Sequence, residues 1–269
     1  MSVEERTWAL CRWIAMPLRV SALRSLGAYM NVFSIESFID ELAMASQADP
    51  VEFRLRHLDD PRARDVITTA ADRFGWTTYK KQNDGGRGFA FARYKNLAAY
   101  MALAVEIELH RESGRVRLKR AVAAVDSGEA VNPDGIKNQI EGGILQSASW
   151  TLYESVAFDR MRVTSRDWGS YPILRFSAVP DEVDIHVIDR PGTPFLGTGE
   201  AAQGPTAAAI ANAIAYAAGV RLRIWQSLVE KAGYKIEDIP KTWDAFYDFF
   251  KGVQQLSDHA GIAIRLGKT

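Results

Sequence analysis

The spacing of apolar residues changes part-way along this 269-residue chain, and the change limits the folds open to it. Up to residue 75 the apolar residues recur at helical spacing, whereas from residue 105 they alternate with polar ones, as in a strand. A helix-like stretch, a second alternating run and an alanine-rich helix follow. This order predicts an α+β fold in which antiparallel strands pack against helices, with a short helical tail at the carboxyl end.

The first part of the chain predicts three helices. The first of them has an apolar stripe of the kind that faces a core, formed by Val32, Ile35, Phe38, Ile39 and Leu42. The next two begin with Asp49–Pro50 and Asp60–Pro61, which place a capping side chain before a proline at the first helical position. Gly75 is a natural end for the third helix.

The alternating runs predict strands. Residues 105–119 are typical of an antiparallel hairpin with one face in water and a turn at Gly114, and "EVDIHVIDR" predicts another strand. Between them "GIKNQIEGGILQSASWTLYESV" predicts a helix, and its paired glycines, Gly142 and Gly143, indicate close approach of another backbone or a ligand. A last helix is expected from about Gly204, ending at Gly219.

Charge and motif content argue against several classes of function. The 33 basic and 33 acidic side chains give zero net charge, so nothing favours nucleic acid or an anionic membrane as a partner. The four histidines show no paired ligand spacing, and neither a P-loop nor a G-x-S-x-G elbow is present. Gly197, Gly199 and Ala202 satisfy G-x-G-x-x-A, but Pro191 and Pro194 separate them from the preceding strand, which argues against a dinucleotide site.

The sequence leaves the cellular location open. Cys11 is the single cysteine, so an intramolecular disulfide is impossible and the redox compartment is undetermined. The first twenty residues are a poor match to a signal peptide, because charged residues interrupt the apolar stretch. No run of apolar residues is long enough to predict a membrane span. Both cytoplasm and periplasm are therefore compatible with the sequence.

Glu200, in "PFLGTGEAAQGPTAAAIANAIA", is a lone carboxylate between glycines and a helix of small residues. One interpretation is a charge favoured by the helix dipole, worth about 0.5 kcal/mol. The other is a general base, in a recess that Gly197 and Gly199 open to a bound group, if the surroundings raise its pKa toward neutrality. Spacing alone leaves both open.

Three further segments combine glycine or other small residues with polar side chains. They are "SALRSLG" with Arg24, "GGRGFAF" with Arg87 and Gly88, and "DSGEAVNPDGIKNQIEGG" with Gln139. Each alone is compatible with ordinary turn chemistry. Together with the Glu200 segment they predict several loops that converge on one large, polar ligand.

At these residues the chain resembles the molybdenum hydroxylases, the xanthine dehydrogenase and aldehyde oxidase family. It is most similar to bacterial molybdopterin-binding subunits of the isoquinoline 1-oxidoreductase or nicotinate dehydrogenase type. The resemblance runs from about Leu18 to Arg223. It rests on five motifs in the family's order: "LRSLGAYMNVFSIESFIDELA", "GRGFAFARYKN", "AVDSGEAVNPDGIKNQIEGG", "SYPILRF" and "GTGEAAQGP".

The resemblance implies oxidative hydroxylation of aldehydes or N-heteroaromatic compounds with oxygen derived from water. Glu200 matches the family's catalytic glutamate, a base, and Leu26 lies where family members shape the substrate pocket. The implied cofactor is molybdenum–molybdopterin in its cytosine dinucleotide form, with the metal held through the pterin and not by a protein ligand. The cofactor-binding positions carried over are Arg24, Gln139, Arg87, Gly88, Gly197 and Gly199. The implied partners are a two-iron two-sulfur subunit and, in some enzymes, a cytochrome.

Two departures from the family pattern shape the domain prediction. The upstream half of the family's cofactor site is missing, so we expect residues 1–223, the carboxyl-terminal part of a molybdopterin-binding domain, to be catalytically incompetent alone. Residues 224–269 resemble instead a stretch of the solute-binding proteins of sugar-type ABC importers. The alternative function is therefore a non-catalytic remnant or solute-binding module of such an importer.

Overall fold

The computed structural model describes residues 23–81, 83–159 and 161–219. This part of the chain contains five α-helices: α1 (Ala28–Ala45), α2 (Pro50–Arg56), α3 (Pro61–Phe74), α4 (Pro133–Leu152) and α5 (Gln203–Ala218). It also contains four strands: β1 (Gly85–Arg93), β2 (Tyr100–His110), β3 (Arg115–Asp126) and β4 (Glu182–Ile188). The predicted α+β class is confirmed.

The four strands form one mixed sheet in the order β1-β2-β3-β4. The β1–β2 and β2–β3 pairs are antiparallel, and β4 lies parallel to β3. A bulge interrupts the β2–β3 pair, because Glu106 lies opposite Arg120 whereas Ile107 lies opposite Leu118, which leaves Lys119 as the extra residue.

Helices cover both faces of the sheet. One core lies between the sheet and helices α4 and α5, and includes Met101, Leu103 and Val105 of β2. The other lies between the sheet and α3, and takes the alternate residues of β2, such as Ala102 and Ala104. The predicted hairpin is therefore correct, but its wet face exists only near the turn; elsewhere both faces are buried because helices pack on each side.

Helix α5 is rich in alanine because it packs closely on β1. A Cβ atom added to Gly88 would lie 2.0 Å from the carbonyl oxygen of Ala209, and one added to Gly86 would lie 2.2 Å from that of Ala213. These distances are far inside van der Waals contact, so only glycine permits this helix-to-strand spacing.

The predicted starts of α2 and α3 and the predicted end of α3 are confirmed. Asp49 accepts hydrogen bonds from the N–H groups of Val51 and Glu52, and Asp60 caps α3 through the N–H of Arg62. Gly75 ends α3 in the left-handed conformation, with φ of 74°.

Only part of the apolar stripe predicted on α1 faces the core. Ile35, Phe38 and Leu42 are 53%, 42% and 39% exposed. The buried face of α1 carries Glu36 and Asp40 instead, and both carboxylates bind the buried guanidinium of Arg54 in α2, at 2.8 and 2.9 Å. A buried ionic cluster thus fixes the orientation of α1, which helical spacing alone could not reveal.

Within the described ranges, none of the helices has both the length and the apolar content needed to cross a bilayer. The predicted domain boundary at Arg223 and the tail at 224–269, with its resemblance to solute-binding proteins, lie outside the described residues and remain predictions.

Candidate active site

The carboxylate of Glu200 is held at both oxygens by groups distant in sequence. The backbone N–H of Ser25 donates to Oε1 at 2.9 Å, and the hydroxyl of Tyr94 donates to Oε2 at 2.6 Å. The Ser25 hydroxyl also donates to the Glu200 carbonyl oxygen at 3.0 Å. These contacts fix the direction of the carboxylate and join the segment before α1, the turn after β1 and the segment before α5.

Both segments that hold Glu200 have an unusual backbone. Ser25 and Leu26 have φ of 75° and 49°, and Lys95 and Asn96 have φ of 52° and 58°. Among the described non-glycine residues, Gln47 is the one other case of positive φ. L-residues rarely adopt this conformation, and such strain concentrates at functional sites. Its location supports a functional role for the contacts around Glu200.

The surroundings lower the pKa of Glu200, mainly because the Tyr94 hydroxyl and then the Ser25 N–H donate to the ionised carboxylate. Lys95 and Arg24 add favourable charge, and partial burial opposes the effect. The described surroundings therefore do not raise this pKa toward neutrality, which was the condition set for a general base in the sequence analysis. Conversely, burial and the bond to Glu200 raise the pKa of Tyr94, which remains a protonated donor.

Arg24 connects Glu200 to helix α4. Its Nε donates to the carbonyl oxygen of Gly199, and its Nη2 donates to the backbone and side-chain oxygens of Gln139, both at 3.0 Å. With the amide of Gln203 oriented to satisfy both partners, its oxygen accepts from Arg24 Nε at 2.7 Å and its nitrogen donates to the Glu200 carbonyl at 3.2 Å. The guanidinium therefore aligns the residues before and after Glu200.

The two glycines of α4 have different surroundings. A Cβ added to Gly143 would lie 2.7 Å from the Cβ of Ala202, so this glycine lets the start of α5 approach α4. A Cβ added to Gly142 would meet no atom within 4 Å. The prediction of close approach thus applies to Gly143, whereas Gly142 faces open space on the side of Gln139.

An exposed polar edge lies next to Glu200. A Cβ added to Gly197 would meet nothing within 4 Å, and Leu26 is 45% exposed. Gln139 is exposed, and since Arg24 occupies its amide oxygen, the amide nitrogen keeps its donors for a ligand. Gly142 and Gly197 leave free space beside the main chain, and Gln139 and Arg24 supply amide and guanidinium donors next to it. This combination suits a large heterocycle with many acceptors. These residues fit a pterin.

The structure places Arg87 and Gly88 away from these contacts. The Arg87 guanidinium stacks on Trp76, with 4.0 Å to the ring centroid, and lies 3.7 Å from a carboxylate oxygen of Asp49. Gly88 packs against α5 as described above. Both residues are explained by packing, and the described structure does not bring either to Glu200.

A buried carboxylate at the end of β3 supports the segment that leads to Glu200. Asp126, at the end of β3, is fully buried and binds Arg62, Arg190 and the N–H of Gly128. The loop that follows Asp126 is hydrogen-bonded to the segment before Glu200, because the N–H of Leu196 donates to the carbonyl oxygen of Ser127 at 2.6 Å.

Four residues of the site were not predicted from the sequence: Ser25, Tyr94, Gln146 and Gln203. Gln146 accepts from Arg24 Nη1 at 3.3 Å. Three of the four lie inside the motifs that carry the family resemblance, and Gln146 lies on the same helix as Gln139, two turns further on. The motifs were thus the available signal, but they did not show which polar residue faces Glu200. Among the described residues, no group of three or more histidine, cysteine, aspartate or glutamate side chains could bind a metal ion.

The described residues thus form an α+β domain in which the ionised carboxylate of Glu200, hydrogen-bonded at both oxygens, lies beside exposed Gly197 and Gln139. The chain belongs to the molybdopterin cofactor-binding domain family, whose model matches residues 33–180.

Two curated relatives extend this likeness to most of the chain. It is 43% identical over 220 residues to one subunit of the nicotinate dehydrogenase of Pseudomonas putida, a match that covers 77% of this chain and 18% of that protein. It is 33% identical over 207 residues to the beta subunit of the isoquinoline 1-oxidoreductase of Brevundimonas diminuta, covering 76% of this chain and 26% of the relative. The chain therefore spans about a fifth to a quarter of the length of these relatives.

The fold is also that of a solved structure. The aldehyde oxidoreductase of Desulfovibrio gigas superposes with a TM-score of 0.64 at 16% identity, covering 75% of this chain and 40% of that one. At this identity the likeness establishes a shared fold and nothing more.

Proposed function

We propose that this chain contributes the catalytic base and part of the cofactor-binding surface of a molybdenum hydroxylase. The observation that carries the proposal is the carboxylate of Glu200, ionised, held at both oxygens and next to an open edge of amide donors and bare backbone. The family match to residues 33–180 supports molybdopterin as the group bound at that edge.

The proposed reaction is R–H + H₂O → R–OH + 2H⁺ + 2e⁻, with R–H an aldehyde or an N-heteroaromatic compound. When bound, the molybdenum cofactor supplies the two-electron redox chemistry, which no protein side chain offers. The names of the relatives, which mention nicotinate and isoquinoline, support an N-heteroaromatic substrate. The proposal includes the cytosine dinucleotide form of the cofactor and a separate iron–sulfur subunit that takes the electrons.

In this proposal Glu200 takes up one of the two protons released in the reaction. Its lowered pKa keeps it ionised before the reaction, so it is available as a base over the physiological range of pH. Burial raises the pKa of a carboxylate, so a ligand that covers Glu200 increases its affinity for a proton. Arg24 and Gln139, with the open backbone at Gly142 and Gly197, are the residues that would hold the pterin.

The proposal is tested by transferring the described part of the chain into a full-length relative. Residues 23–219 replace the matching segment of the nicotinate dehydrogenase of Pseudomonas putida, in the subunit to which the chain is similar, and the assembled enzyme is measured for bound molybdenum and pterin and for turnover. We expect the Glu200→Gln version to retain the cofactor but to lose turnover by a factor of about 10²–10⁴, the usual contribution of a general base.

A matched control is Glu154→Gln in the same chimera. Glu154 also accepts from a tyrosine, Tyr171, at 2.6 Å, but lies outside the contacts around Glu200. Its replacement is expected to leave turnover unchanged. Full turnover by the Glu200→Gln chimera, or a folded chimera without molybdenum and pterin, would contradict the proposal.

A further inference from the structure

We propose that Tyr94 is a positioning residue, which aims the Glu200 carboxylate and keeps it ionised. This inference rests on the proposed function, because it assigns Glu200 the role of base.

The Tyr94 hydroxyl is a buried donor with one charged acceptor. Tyr94 is 9% exposed, and its Oη lies 2.6 Å from Glu200 Oε2, the short distance expected of a hydroxyl bound to an ionised carboxylate. The backbone that carries the ring is held as well, since the Tyr94 N–H donates to the carbonyl oxygen of Ala99 at 3.0 Å. The strand and turn therefore fix the point of the main chain from which the ring reaches Glu200.

The turn after β1 places Tyr94 at the cost of backbone strain. The two residues that follow it, Lys95 and Asn96, both have positive φ. Two consecutive non-glycine residues in this conformation persist only where the surrounding contacts enforce it. A tyrosine needed only to fill space in the core would not require such a turn.

The two donors to Glu200 are chemically different. A backbone N–H, such as that of Ser25, can only donate, so it always favours the ionised form at Oε1. A phenol can both donate and accept, and here Tyr94 donates to Oε2. Protonation of Oε2 would take away the acceptor to which the buried phenol donates, so this contact favours the ionised carboxylate.

The charged groups that face Glu200 also lower its pKa, as the Tyr94 hydroxyl does. Lys95, from the same turn, and Arg24, from the segment before α1, both favour the ionised carboxylate, and partial burial opposes them. The Lys95 ammonium also lies 5.1 Å from the centroid of the Tyr94 ring. The effect of Tyr94 must therefore be measured with both cations present, by changing the tyrosine alone.

The test is a pH titration of the Glu200 carboxyl group by NMR in the full chain, with glutamate labelled with ¹³C at the carboxyl carbon. The Glu200→Gln variant identifies the signal. We expect Tyr94→Phe to move the titration midpoint of Glu200 to higher pH, because the donor that favours the ionised form is lost. The control is Tyr171→Phe, which removes the matching 2.6 Å bond to Glu154 and is expected to leave the Glu200 midpoint in place.

A second substitution distinguishes hydrogen bonding from packing. Incorporation of 3,5-difluorotyrosine at position 94 keeps the ring and makes the phenol a stronger donor, so the midpoint of Glu200 is expected to move to lower pH. Opposite shifts in the two variants support the proposal. An unchanged midpoint in either variant, with an unchanged circular dichroism spectrum, would overturn it, and if Tyr94→Phe does not fold, the fluorinated protein decides. Because this readout needs no cofactor, it is independent of the molybdenum and turnover measurements that test the proposed function.

Discussion

Glu200 shows how neighbours far away in sequence determine the chemistry of one side chain. The sequence places glycines before it and alanines after it, which left helix-dipole stabilisation as one interpretation. In the structure α5 begins at Gln203, and the carboxylate turns instead to Ser25 and Tyr94, 175 and 106 positions away. Its direction is therefore explained by these two specific donors, and no side-chain cap hydrogen bond joins it to α5.

The lowered pKa of Glu200 gives a prediction for stability against pH. A carboxylate whose pKa is lower in the folded than in the unfolded protein stabilises the fold above its ordinary pKa, and this contribution disappears as the pH falls through the folded value. Glu200→Gln should therefore be less stable than the natural chain at neutral pH. The difference should shrink as the pH falls below the ordinary value of 4.5.

Urea denaturation at neutral and acid pH measures this difference in the free energy of unfolding. Glu112→Gln, in the exposed turn between β2 and β3, is a control that should show little effect at either pH. A difference between the natural chain and Glu200→Gln that grew on acidification would contradict the prediction.

Among the helices, the packing of α1 and that of α5 shape the domain. Helix α1 buries a carboxylate pair against Arg54 and leaves three residues of its apolar stripe exposed, whereas α5 uses small residues to approach β1 closely. The start of α5 also lies close to α1, since a Cβ added to Gly204 would be 2.7 Å from the Cβ of Val32. The position of α5, and with it that of Glu200, depends on glycines at these crossings.

Alanine in place of Gly88 in β1 and of Gly142 in α4 is therefore expected to have opposite effects on stability. Gly88→Ala should destabilise the chain by about 3 kcal/mol, because the new Cβ would lie 2.0 Å from a backbone oxygen of α5. Gly142→Ala should stabilise it by about 0.5–1 kcal/mol, because the position is open and alanine favours a helix. Thermal and urea denaturation of the two variants measure both effects. If both substitutions changed stability in the same direction, the packing described here would be wrong.

At the scale of the whole described domain, four segments far apart in sequence meet around Glu200. They are the residues before α1, the turn after β1, helix α4 and the residues before α5. Asp126 connects this assembly to the rest of the sheet, because it binds Arg62 of α3 and Arg190 of the segment that leads to Glu200. The domain thus positions its site through a buried carboxylate as well as through its core.

Asp126→Asn should consequently destabilise the chain by about 3 kcal/mol, since it leaves two arginines without their shared counter-charge. It should also speed hydrogen exchange at the amides of Gly128 and Leu196, which mass spectrometry can measure. The control is Asp181→Asn, which breaks an exposed ion pair with Arg117 and should cost less than about 1 kcal/mol. Equal effects of the two substitutions would contradict the assigned role of Asp126.

Local sequence signals predicted the five described helices and several of their ends, because capping residues, prolines and hydrophobic period act over a few residues. Asp49, Asp60 and Gly75 are examples. These signals did not predict β1, since its glycine-rich start is also compatible with turn chemistry. Through its motifs the sequence also identified the segments that form the site.

Which residues of those segments meet depends on the folded structure. Tyr94, Ser25 and Gln203 were not singled out, α1 buries two carboxylates and exposes part of its apolar stripe, and Gly88 serves packing. The reason is physical: the donors to a carboxylate, the partners of buried Glu36 and the space beside a glycine are set by contacts between residues distant in the chain, which local periodicity does not encode.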